Sequence, residues 1–92
     1  MSDASVSRTA LIKNQRGLHA RAAAKFAKVA GAFEAEITVS RSGQSVSGRS
    51  IMGLMMLAAA PGSEIDLAAR GGDAEAALEA ICTLIDAKFD ED

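Results

Sequence analysis

The chain has 92 residues, 49% of them apolar, yet it contains no Trp or Tyr and only three Phe. A chain of this length buries one core, so a single domain over residues 1–92 is expected, packed mainly from Ala, Leu, Ile, Val and Met. Ten basic residues against twelve acidic ones leave a formal charge of −2, which excludes a general attraction to nucleic acid or to an anionic membrane surface.

Residues 1–7 are polar, lack the apolar segment of a secretory signal, and are expected to form a short flexible lead. A strand is predicted over residues 8–14, stopping at the turn-prone Asn14-Gln15-Arg16-Gly17. Ala23, Phe26, Ala27 and Ala30 recur at helical spacing and predict a helix over 20–30, with Lys25 and Lys28 off the apolar stripe and Gly31 ending it. Ile37 and Val39 alternate with Glu36, Thr38 and Ser40, and the turn Ser42-Gly43-Gln44 leads into a return strand over 45–48. Ser50 is a good N-cap for an apolar helix over 51–60, with Leu54 and Leu57 as core candidates and Pro61-Gly62 as its stop. That stretch is far below the ~20 residues that span a bilayer.

Ile65 and Leu67 mark a further strand over 64–69, and Gly71-Gly72 followed by Asp73, a second N-cap candidate, leads into a helix from Ala74. Ala77, Leu78, Ile81, Leu84 and Ile85 form its apolar face, with Cys82 expected among them as an inert core residue. The acidic tail, residues 90–92, is expected in solvent. Cys82 is the only cysteine, so an intrachain disulfide and a thiolate metal framework are both excluded, and a reducing, cytoplasmic setting is expected. The order strand, helix, strand, strand, helix, strand, helix implies an α+β fold: a two-layer open-faced sandwich with helices on one face of an antiparallel sheet.

His19, the only histidine, falls where the loop Gly17-Leu18 meets the first helix. The first N–H groups of a helix have no internal partners and carry the positive end of its dipole, so an anion on His19 is stabilised there. Arg21 offers planar donors suited to phosphate oxygens, Arg16 adds positive field, and Gly17 permits close backbone approach. A neutral imidazole attacks phosphorus without a separate base, and a phosphoryl group on nitrogen stays labile. On chemistry alone a lone histidine at a helix start is more often a cap or a surface residue than a nucleophile, and the choice stays open at this point. A hydrolase or metalloenzyme has no second histidine and no ligand cluster to use. An RNA-binding sheet lacks its stacking aromatics.

Two segments add a resemblance. Gly17-Leu18-His19-Ala20-Arg21 followed by Ala23-Ala24-Lys25-Phe26 resembles the active-site motif of HPr, the histidine-containing phosphocarrier family of the bacterial phosphotransferase system. Ser50-Ile51-Met52-Gly53-Leu54-Met55 resembles that family's second signature. The resemblance runs from Arg8 to Phe89 and implies a sheet with strand order 1-4-2-3. It implies a carrier without cofactor or bound metal, not an enzyme in its own right. His19 accepts a phosphoryl group on Nδ1 from enzyme I and passes it to an enzyme IIA domain.

By the same resemblance Arg21 steadies the phosphoryl group, with Arg16, Gly17, Ala20 and Ala22 forming the phosphate loop. Ala22 stands where the family usually has proline, which presets the first helical turn. Ser50 matches a serine that a dedicated HPr kinase/phosphorylase modifies in some members. Ala24, Lys28, Ile51, Met52 and Met55 are implied as the partner face, on a monomer that docks transiently. The acidic tail and the 54–57 segment resemble the nitrogen-related branch of the system, so regulatory signalling stands beside sugar uptake. The rival reading is a docking module in which His19 is never phosphorylated.

Overall fold

A computed structural model describes residues 5–90. Period-two alternation produces four strands, β1 (Ser5–Leu11), β2 (Glu36–Arg41), β3 (Gln44–Ser47) and β4 (Glu64–Arg70). The helical stripes produce α1 (Ala20–Gly31), α2 (Ile51–Met56) and α3 (Ala74–Asp86). All strand pairs are antiparallel, in the order β1-β4-β2-β3, with Leu67 of β4 opposite Arg8 on one side and Val39 on the other. This register buries Ile37, Val39, Ile65, Leu67 and Ala69 on one face and leaves Glu36, Thr38, Glu64 and Asp66 exposed on the other. Phe26 of α1, Leu54 of α2 and Leu78, Ile81 and Ile85 of α3 close over the apolar face. The result is the open-faced α+β sandwich expected from the element order.

Several details differ from the sequence reading. β1 begins three residues earlier than expected because its whole length pairs with β4, from Ser5 opposite Arg70 to Leu11 opposite Glu64. Ser5, Val6 and Ser7 are therefore sheet and not flexible lead. The other expected tail residues, 1–4 and 91–92, lie outside the described residues. Ile12 leaves the ladder to bond the turn after α2: its N–H donates to Ser63 O at 2.9 Å and its carbonyl accepts from Gly62 N–H at 2.8 Å.

α2 has six residues instead of the ten expected, because the chain turns at Ala58, which sits in the left-handed region at φ 53. The guanidinium of Arg41 holds that end, donating from Nη1 to Leu57 O at 3.0 Å. Asp73 does not cap α3 through its side chain. Its carboxylate instead accepts the N–H groups of Glu34 at 2.9 Å and Ala35 at 2.8 Å, tying the α1–β2 connection to the start of α3. The Glu34 hydrogen bond is the chief reason its carboxyl is held below the usual carboxylate range.

Cys82 is half-buried at the margin of α3 and not in the core, and that partial burial pushes its thiol pKa up. Leu84 is likewise only partly buried. Lys25 is not a free solvated charge, because its Nζ donates to Phe89 O at 2.7 Å. Phe89 is fully buried on a closing turn, Lys88–Asp90, whose residues all have positive φ.

Alanine in the left-handed region costs about 1 kcal/mol relative to a conformation it prefers, a penalty glycine escapes. Ala58→Gly is expected to raise the urea midpoint by up to about 1 kcal/mol equivalent, and an unchanged or lower midpoint contradicts the strain assigned to that turn. Because folding lowers the Asp73 pKa, its contribution is fully present above the unfolded value of roughly 3.9 and is lost as pH falls through the folded value. The stability gap between the native chain and Asp73→Asn should therefore hold steady at neutral pH and narrow below pH ~4.

Candidate functional site

The segment entering α1 is held by backbone contacts before any reactive group appears. Asn14 is fully buried; its Nδ2 donates to Gly17 O at 2.8 Å, and its carbonyl accepts from Gly17 N–H at 3.3 Å. Gly17 has φ +66, and a Cβ there lies 2.4 Å from Ala59 O. Leu18, also buried, donates its N–H to the same Ala59 carbonyl at 2.9 Å. The close approach expected of Gly17 is thus real, and it is made to the chain leaving α2.

His19 follows as the N-cap of α1, with φ −78 and ψ −177. Its ring Nδ1 accepts the N–H of Arg21 at 3.3 Å, and its carbonyl accepts from Ala23 N–H at 2.8 Å. An Nδ1 that accepts carries a lone pair, so the neutral ring holds its proton on Nε2. The long 3.3 Å contact makes this a weak cap that a stronger acceptor replaces readily. The N–H groups at Ala20, Arg21 and Ala22 belong to the first turn, whose donors point out of the helix end.

His19 is half-exposed and shares a shallow depression with Arg16, Leu18 and residues 58–61. Ala20 and the Arg21 side chain are exposed beside it. Ala22 is fully buried, so its methyl belongs to the core. No cluster of metal-ligating side chains occurs among the described residues.

The expected partner face is exposed. Ala20, Ala24 and Lys28 fall one turn apart along α1 and are all accessible. α2 packs beside α1 and presents Ile51, Met52 and Met55 outward, while Leu54 points into the core. Ser50 caps α2 as expected, its Oγ accepting from Gly53 N–H at 2.9 Å. The sequence reading missed Met56, which is nearly as open as Met52. It also missed Asn14 and the Ala59 carbonyl, the two groups that position the loop. An Asn three residues before a Gly is the one local sign that was available.

A sandwich of this kind, presenting one imidazole at a helix start in a shallow and open depression, has the form of a protein that offers a side chain to other proteins. Comparison with known proteins gives that class its family. Residues 6–87 match the family model described as the PTS HPr component phosphorylation site. The chain is 51% identical over 84 residues to phosphocarrier protein NPr of Shewanella violacea, covering 91% of this chain and 92% of that one. It is 45% identical over 84 residues to phosphocarrier protein HPr of Cupriavidus necator, covering 91% and 94%. The crystal structure of HPr-C-His from Thermoanaerobacter tengcongensis superposes with a TM-score of 0.91 at 41% identity, covering 95% and 98% of the two chains. The chain belongs to the HPr family and is an HPr-type phosphocarrier of the phosphotransferase system.

Gly17→Ala tests the foundation of the site. It places a methyl against Ala59 O at a φ that alanine disfavours, and is expected to cost about 2 kcal/mol or more in urea unfolding. The Leu18 amide, read by two-dimensional NMR, should shift with it; an unperturbed Leu18 amide contradicts the packing described.

Proposed function

We propose that Nδ1 of His19 takes a phosphoryl group from phosphorylated enzyme I and gives it to an enzyme IIA domain. The observation that carries this reading is the Nδ1 lone pair, held at the start of α1 by the Arg21 N–H at 3.3 Å. On attack, the Nδ1–P bond forms as the bond from phosphorus to the donor breaks, and the ring proton stays on Nε2. Nδ1 then no longer accepts, and the Arg21 N–H turns to a phosphoryl oxygen, aided by the helix dipole. The Arg21 guanidinium supplies bidentate donors, and Arg16 adds charge from across the depression. The hold stays moderate because Arg16 and Arg21 are exposed to solvent, as a carrier that must release its cargo requires.

Ala24 and Lys28 on α1 and Ile51, Met52 and Met55 on α2 form the docking face in this reading. Methionine adapts to differently shaped partners, which suits a protein that meets a donor and an acceptor in turn. The chain acts as a monomer in the cytoplasm, and no helix among the described residues is long and apolar enough to cross a membrane. Ser50 is proposed as a regulatory site for a dedicated HPr kinase/phosphorylase. A phosphate there sits at the start of α2, where the dipole accepts it, and repels acidic partner surfaces from the docking face.

Incubation with phosphoenolpyruvate, Mg²⁺ and enzyme I is expected to add one phosphoryl mass that mild acid removes, with none added to His19→Ala. Phosphoryl gain by His19→Ala sinks the assignment. Arg21→Ala should fold normally and transfer at least about tenfold more slowly. Supplying acceptor IIA domains of the sugar and nitrogen-regulatory branches in parallel reads out which pathway is served.

A further inference from the structure

Three of the chain's four methionines fall within the six residues of α2. Met52 is 73% exposed, Met56 66% and Met55 42%. Met52 and Met56 are one turn apart and so lie on one stripe, with Met55 beside it, while Leu54 and Leu57 carry the packing on the opposite side. Their thioethers therefore stand in solvent, and the core does not depend on them. Oxidation of methionine sulfur follows access, and the product replaces a soft apolar group with a strongly accepting S=O.

We propose that Met52, Met55 and Met56 form a reversible oxidation site through which two-electron oxidants, of the peroxide or hypochlorite class, weaken docking of the phosphotransfer partners. This rests on reading the outer side of α2 as the docking face. With hydrogen peroxide, an S–O bond forms as the O–O bond breaks. Sulfur loses two electrons, the peroxide oxygens gain them, and the departing hydroxide leaves as water after protonation. A thiol-dependent methionine sulfoxide reductase reverses the step, returning the oxygen as water while two thiols become a disulfide.

The consequence lies in docking and not in the chemistry at His19. A sulfoxide oxygen covered by an apolar partner surface loses its water without gaining a donor, and an adaptable patch becomes a polar one. Cys82 does not compete strongly for oxidant, because it is half-buried on α3 and its thiol is pushed away from the reactive thiolate form. The helix tolerates the added oxygens because Leu54 and Leu57 are untouched.

The test treats the full chain with hydrogen peroxide, maps added oxygen by peptide mass, and measures phosphoryl transfer from enzyme I before and after. The untreated chain must accept phosphate; if it does not, the proposed function falls and takes this inference with it. The expected result is oxygen on Met52 and Met56 first, unchanged circular dichroism, and a rise of about tenfold in KM with kcat held, restored by methionine sulfoxide reductase. The ratio of treated to untreated KM should return to one in M52L/M55L/M56L, whatever that variant's own starting KM. An oxidised chain with unaltered KM overturns the inference. So does a triple variant that remains peroxide-sensitive, since another residue is then responsible.

Discussion

The loop before α1 and the chain leaving α2 meet backbone to backbone, and the site is built on that meeting. The Ala59 carbonyl takes the Leu18 N–H at 2.9 Å, and the space beside it admits no side chain at Gly17. Asn14 closes the loop from below through the Gly17 carbonyl. Ala58, strained at φ 53, turns the chain so that Ala59 faces the loop. His19 thus leaves a fixed point, and α2 is joined through residues 57–59 to the segment that places the imidazole. In the proposed reading, docking face and reactive group are therefore parts of one packed unit.

That arrangement also bears on Ala22, where the family usually has proline. Proline would preset the first turn of α1, but in this chain the turn is defined by other means. Leu18 is pinned by Ala59, His19 caps the helix through its ring, and Ala22 packs its methyl fully into the core. The cap is weak by its length, and this suits the role. In the proposed reading, a nitrogen that gives up a 3.3 Å hydrogen bond to become phosphorylated loses little.

Much of this was legible in the sequence. Alternation at Ile37, Val39, Ile65 and Leu67 and the helical stripes at Phe26 and Ile81 mark the two layers, because burial of one face imposes those periods on any sequence. Ser50 was readable as a cap, and His19 as lying at the start of α1. What was not legible depended on distant partners. Ser5 and Ser7 are polar because they lie on the open face, so β1 starts without a local signal. Asp73 has the composition of a cap, yet two N–H groups brought from 34 and 35 by the fold take its oxygens instead. Lys25 looked like a solvated charge until the turn at Phe89 supplied a carbonyl. Gly17 was readable as a point of close backbone approach, and only the tertiary structure shows that Ala59 is what it approaches.

The central claim is that the His19 nitrogen now bonded by the Arg21 amide is the one that carries the phosphoryl group. Nitrogen-15 NMR of the histidine-labelled chain, recorded before and after phosphorylation by enzyme I, tests it directly. Phosphorus coupling and the large shift should appear at Nδ1, and the Arg21 amide proton should move downfield as it passes from the ring to a phosphoryl oxygen. Phosphorus on Nε2, or an Arg21 amide that stays where it was, contradicts the account.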